Sequence, residues 1–158
     1  MKDSTKTNLK SRREFLGTSA KVMGTGALLS SLPISVSAYA GAAGEIKVAL
    51  VGCGGRGTGA ASQAIEADPD VRLVAMADVF GDRLDKCFKS LSTKYDGKDK
   101  IQVNDASKFT DFDGYKKAID MADVVILTTP PGFRPLHFEY AVAQGKHVFM
   151  EKPLATDV

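Results

Sequence analysis

The stretch that most constrains this chain is residues 45–59, Glu-Ile-Lys-Val-Ala-Leu-Val-Gly-Cys-Gly-Gly-Arg-Gly-Thr-Gly. Ile46, Val48, Leu50 and Val51 form a short apolar run, too brief for a helix and suited to a buried parallel strand. The run breaks directly into Gly52, Gly54 and Gly57, which stand at the G-x-G-x-x-G spacing. At that spacing the first glycine permits a tight turn and the second lets backbone approach a pyrophosphate. The third lets the next helix sit close to the strand, with its N-terminal amides aimed at the phosphates. A glycine-rich turn with no ligand would use the same residues, so the motif depends on its surroundings.

Those surroundings are informative. A second apolar run, Val71-Arg72-Leu73-Val74-Ala75-Met76-Ala77, ends in Asp78. An acid about twenty residues past the glycines is where a carboxylate holds the adenosine ribose hydroxyls of a dinucleotide. A carboxylate there repels a 2′-phosphate, so it favours NAD over NADP. Asp78 could equally cap the helix expected over residues 80–91. Arg83 leaves three options open: stacking on adenine, pairing with Asp78, or reaching a 2′-phosphate.

Beyond the glycines the chain alternates strand and helix. Helices are expected over residues 57–67, ended by Asp68-Pro69-Asp70, over 114–121 with Asp113 as cap, and over 135–144 with Gly145 as stop. Ile101-Gln102-Val103 is a candidate third strand, Asp123-Val124-Val125-Ile126-Leu127 a fourth and Val148-Phe149-Met150 a fifth. Right-handed crossovers then give an α/β fold of the Rossmann type, a doubly wound parallel sheet of order 3-2-1-4-5. Ligands of such sheets bind past the carboxyl ends of the strands. There the chain carries its glycines, Asp78, Thr128-Thr129-Pro130 and Glu151-Lys152.

The first forty residues are expected to lie outside this fold. Ser11-Arg12-Arg13-Glu14-Phe15-Leu16-Gly17 pairs two arginines with two apolar residues, a moderately apolar stretch follows, and Ala38-Tyr39-Ala40 supplies a small-x-small cleavage pattern, with Val36-Ser37-Ala38 as a second option. This is the pattern of a twin-arginine signal, and it predicts export to the periplasm through the twin-arginine machinery. Residues 1–40 hold six Lys/Arg and two Asp/Glu, so the remaining 118 residues carry a net charge of about −2, although the whole chain is +2. Nothing in that balance argues for nucleic acid. Cys53 and Cys87, the only cysteines, make no disulfide framework and no metal spacing. Cys53 is expected to fit the glycine turn and Cys87 to face the sheet.

Taken together, Val-Ala-Leu-Val-Gly-Cys-Gly-Gly-Arg-Gly, Ala-Asp at a strand end, Thr-Thr-Pro-Pro with His137 beyond it, and Ala-Gln-Gly-Lys-His-Val-Phe-Met-Glu-Lys-Pro resemble the N-terminal domain of the Gfo/Idh/MocA family of glucose–fructose oxidoreductases and inositol dehydrogenases. The resemblance covers residues 45–158, and the run ending in Glu-Lys-Pro is its most specific part. It implies that Gly54, Gly55 and Arg56 offer amides to the pyrophosphate of NAD, and that Asp78 holds the ribose. It places Thr128, Thr129 and Pro130 along the nicotinamide, Glu151 on the nicotinamide ribose, and Lys152 as the catalytic lysine. His137 and His147 are expected to be structural. Phe133 and Tyr140 are expected in the core or an interface.

Family members continue past the equivalent of Val158 into a second domain that carries substrate contacts and the usual oligomer surface. The chain is therefore expected to be a fragment, inactive alone, of a homo-oligomeric protein. Two activities stay open: an oxidoreductase acting on a sugar or cyclitol hydroxyl, and a glycoside hydrolase using NAD in a redox-neutral oxidation and elimination. A cofactor-binding protein without activity is disfavoured by the intact Glu151-Lys152-Pro153.

Overall fold

Strand β1 (Ile46–Val51) sends Val48 and Leu50 to one side and Ala49 and Val51 to the other, and all four are buried. Burial on both faces is what a central parallel strand requires. The computed structural model describes residues 44–156. The expected signal segment, residues 1–40, and Asp157 lie outside the described residues.

Around β1 the order is α1 (Gly55–Ala67), β2 (Val71–Ala77), α2 (Gly81–Lys94), β3 (Lys108–Phe109), α3 (Gly114–Asp120), β4 (Val124–Leu127), α4 (Arg134–Ala143) and β5 (His147–Met150). The strands form one parallel sheet in the order β3-β2-β1-β4-β5, as the alternation predicted. One face packs Val48, Leu50, Leu73 and Met76 against Ala61 and Ile65 of α1 and Leu84, Cys87 and Leu91 of α2. The other face carries Ala49, Val51, Ala75, Ala77, Val125 and Leu127. They receive Tyr115, Ala118 and Ile119 of α3 together with Ala141 of α4.

The third strand differs from expectation. Ile101 makes only an isolated parallel bridge with Leu73, and β3 proper is the two-residue Lys108–Phe109, paired with Met76 and Ala77. The cause is Asn104, whose side chain accepts from the Ala106 amide while the Ser107 hydroxyl accepts from the Asn104 amide. This reciprocal cap turns residues 105–107 into one 3₁₀ turn and splits the strand. Asp113 stands at the N-cap position of α3, but its carboxylate pairs with Lys116 at 2.8 Å and caps no amide. Helix α1 begins two residues earlier than predicted, and α2 runs on to Lys94. The end of α4 is as expected: Gly145 has φ +67°, its amide donates to Val142 O, and the Lys146 amide donates to Ala141 O. That pair of bonds is a Schellman stop.

Candidate functional site

The β1–α1 turn is fixed by two glycines for different reasons. Gly52 has φ +99°, and a Cβ there would lie 2.7 Å from the Thr129 amide nitrogen. A Cβ on Gly57 would lie 2.0 Å from Gly52 O and 2.7 Å from Thr128 Oγ1, so the helix can sit this close only on a glycine. Thr128 secures the turn by donating its hydroxyl to Gly52 O at 2.6 Å. Gly54 is unlike both. Its φ is −71°, open to any residue, and no other atom lies within 4 Å of where its Cβ would be. Gly54 therefore faces open space, as Gly55 and Gly59 do. It also gives α1 an N-cap with no side chain, so no cap occupies the first-turn amides. A bare helix N-terminus behind an open glycine suits a phosphate.

Asp78 borders this turn. Its Oδ2 accepts from the Cys53 amide at 2.6 Å and its Oδ1 from the Phe80 amide at 2.9 Å. The carboxylate thus ties the end of β2 to the glycine turn and shapes the turn ahead of α2; the N-cap of α2 is Phe80 with no side-chain cap, so Asp78 does not cap that helix. Arg83 does not pair with Asp78; its guanidinium lies 4.5 Å over the Phe80 ring. Cys53 and Cys87 are both buried and unbridged, with Cys53 packed in the turn and Cys87 against the sheet as expected. The hydrogen bond to Cys87, reinforced by burial, pushes the Cys53 thiol far up, so it is held as an inert thiol.

Across the rim, a cleft of about 440 Å³ is lined by Gly52, Gly54, Asp78 and Arg83 on one side and by Thr128, Thr129 and Pro130 on the other. Phe133, Arg134 and His137 of the α4 entry close its far end. Phe133 is 46% exposed, so it belongs to the cleft wall and not to the core. Tyr140 is half-buried and donates to Asp120. His137 is buried, lies tilted against Tyr115 with ring centroids 4.2 Å apart, and meets Thr129 Oγ1 through Nδ1 at 3.1 Å. Burial pushes its imidazole down to about 4.

Glu151 and Lys152 leave β5 beside the exit of β4, where the Glu151 amide donates to Leu127 O at 3.1 Å. The Arg56 guanidinium reaches across from the first turn of α1 and gives both Nε (2.7 Å) and Nη2 to Glu151 Oε1. That hydrogen bond, with the charge of Arg56, holds the Glu151 carboxyl below its ordinary range. Lys152 is exposed, and the Lys152–Pro153 peptide is cis. Gly55 borders a neighbouring groove between α1 and α2, while Arg56, Glu151 and Lys152 stand outside the cleft lining. Among the described residues, no group of three or more His, Cys, Asp or Glu could hold a metal ion.

Sequence reasoning missed Arg134. It is 6% exposed and donates Nε to Thr129 O at 2.8 Å, and Nη1 to Glu151 O at 2.7 Å and to Pro153 O. A charged residue at a helix start gives no local sign of such burial.

Comparison with known proteins bears on the whole arrangement. The Gfo/Idh/MocA family model, described as an oxidoreductase family with an NAD-binding Rossmann fold, matches residues 46–158. Comparison with curated protein sequences found no match. Among solved structures, scyllo-inositol dehydrogenase from Lactobacillus casei with bound NAD(H) and scyllo-inositol is 31% identical at a TM-score of 0.55, over 72% of this chain and 29% of that one. The WlbA dehydrogenase from Chromobacterium violaceum, in complex with NADH and UDP-GlcNAcA, is 26% identical at a TM-score of 0.52, over 72% and 29%. Myo-inositol dehydrogenase from Lactobacillus casei, at 18% identity and a TM-score of 0.57 over 71% and 30%, speaks for the fold alone. The chain spans about three tenths of the length of these structures.

Two tests follow from the glycines and the histidine. Gly57→Ala should destabilise the protein by about 3 kcal/mol or more, because backbone and not a mobile side chain meets the new methyl. Gly54→Ala should leave stability within about 1 kcal/mol and weaken NADH binding instead; urea unfolding and NADH fluorescence titration separate the two effects. For His137, the unfolded chain takes up a proton near the ordinary 6.5 and the folded chain only near 4. The contribution of the neutral imidazole is therefore complete above about 6.5 and is lost as pH falls toward 4. Wild type should lose on the order of 2 kcal/mol across that window, discounted for screening, and His137→Gln should not. Glu66, Asp113 and Glu151, all held low by cationic partners, act in both proteins and only at the acid end of the window.

Proposed function

The chain belongs to the Gfo/Idh/MocA family of oxidoreductases, and from that premise we propose that its NAD-binding Rossmann domain serves an enzyme that takes hydride from a hydroxyl-bearing carbon of a sugar or cyclitol. The observation that carries the reading is the meeting of four strand ends on one rim. The open glycine at the bare start of α1, Asp78, Thr128-Thr129-Pro130 and the Glu151-Lys152 pair stand around or beside a single cleft.

In this reading the amides of Gly54, Gly55 and Arg56 hold the pyrophosphate, with the positive end of α1 behind them. Asp78 accepts from the adenosine ribose hydroxyls while keeping its bonds to Cys53 and Phe80. Its charge disfavours a 2′-phosphate, which makes NAD the cofactor. Thr128, Thr129 and Pro130 form the wall beside the nicotinamide. Both Arg56 bonds fall on Oε1 of Glu151, which leaves Oε2 for a ribose hydroxyl. Lys152 hydrogen-bonds the reacting hydroxyl oxygen and carries the proton exchanged there. Bound nicotinamide supplies the hydride acceptor.

We further read Ser11-Arg12-Arg13-Glu14-Phe15-Leu16-Gly17 as a twin-arginine signal, so that the protein acts in the periplasm as a homo-oligomer with its cofactor tightly held. Replacing Arg12 and Arg13 together by lysine should leave the protein in the cytoplasmic fraction. Unchanged export of that variant would sink the signal assignment.

Activity is tested on full-length protein purified with its retained nicotinamide. Free sugars and cyclitols should change the reduced-nicotinamide absorbance, and Lys152→Ala should lower the rate by a factor of about 10² to 10⁴. Release of aglycone from aryl glycosides with no net absorbance change would replace this reading with the redox-neutral glycoside hydrolase. Export favours that alternative, because little free NAD exists outside the cytoplasm to be recycled.

A further inference from the structure

We propose that Arg134 is the positioning residue of this site, a buried cation that clamps the backbone on both sides of Lys152. Strand β5 is an edge strand, bonded to β4 alone. Its last ladder bond is the Glu151 amide on Leu127 O, and among the described residues no backbone–backbone bond holds residues 152–156. What does hold them is the Arg134 guanidinium, with Nη1 shared between Glu151 O and Pro153 O and Nε on Thr129 O. The carbonyls of Glu151 and Pro153 flank Lys152, and that of Thr129 belongs to the cleft-lining segment that follows β4. One planar fork thus sets the distance from the β4 exit to the segment that presents the lysine amine.

The chemistry of the clamp explains the residue type. An arginine that is 6% exposed ordinarily meets a carboxylate. Among the described residues Arg134 makes no ion pair, and three main-chain carbonyls solvate its charge instead. Burying a cation against neutral acceptors is an expensive way to stabilise a fold. It is an effective way to fix carbonyls in one plane, because the guanidinium donors are rigidly disposed. A lysine has one compact head and cannot span these three acceptors.

The inference rests on the catalytic role proposed for Lys152, and its test separates the two. Full-length wild type, Arg134→Lys and Arg134→Ala are digested with a glutamate-specific endoprotease, and nicking at Glu151 is followed by mass spectrometry beside nicking at Glu66 and Glu139. Both variants should be cut faster at Glu151 alone, and added guanidinium ion should slow the cutting of Arg134→Ala. With myo-inositol as probe, Arg134→Lys should lower kcat by about a hundredfold, as a misplacement near 1 Å does, while NADH affinity stays within about threefold. Unchanged nicking at Glu151 in both variants overturns the clamp whatever the probe does. Faster nicking with kcat unchanged overturns the positioning role. If Lys152→Ala turns over as well as wild type, the catalytic reading fails, and the protease result still judges the clamp on its own.

Discussion

The contact on which the rest of the structure depends lies between Gly57 and the carbonyl of Gly52, where a single methyl group would come within 2.0 Å of the oxygen. It sets how near α1 lies to β1. Because Thr128 donates to the same carbonyl, it also sets where the exit of β4 lies relative to the turn. The helix start, the first strand end and the fourth strand end thereby become one rigid unit. Asp78 adds the second strand end through its bond to the Cys53 amide. The cleft lies between these ends, and Asp111, Phe112 and Asp113 of the β3–α3 connection complete its lining.

Much of this was legible in the sequence because the signals were local. β1, β2 and β4 are apolar runs ended by glycine, aspartate and threonine, and their order followed from the handedness of the crossovers. The strand that was misplaced had no such signal. Ile101-Gln102-Val103 alternates like a strand, whereas the paired residues Lys108 and Phe109 are too few for any periodicity to show. The reciprocal hydrogen bonds of Asn104 and Ser107, which decide the matter, join side chains to amides within one short turn and leave no mark on hydrophobic periodicity. Asp113 illustrates the same limit. Its position at a helix start was readable, but its choice of Lys116 over a backbone amide was not.

The site divides along the same line. Glycines and an acid at fixed spacing announce themselves, because each answers to a partner close in the chain or to a ligand of known shape. The bonds that knit the β4 and β5 exits together are of another kind. Arg56 meets Glu151 across 95 positions, and Arg134 reaches backbone 17 and 19 positions away. No periodicity predicts a cation whose partners are carbonyls, since every residue offers one. Arginines at helix starts look like solvated surface until the fold shows what lies over them.

The double engagement of Asp78 bears on how this lineage could change. A carboxylate that only met ribose hydroxyls could be traded for a smaller neutral side chain, and the protein would then tolerate a 2′-phosphate. Here the same two oxygens secure the Cys53 amide and the start of the turn before α2. Such a trade would leave a half-buried amide without its acceptor and slacken the glycine turn in the same step. Under the proposed ribose role, a change toward the phosphorylated cofactor would have to remove the charge at position 78 and still keep an acceptor for the Cys53 amide.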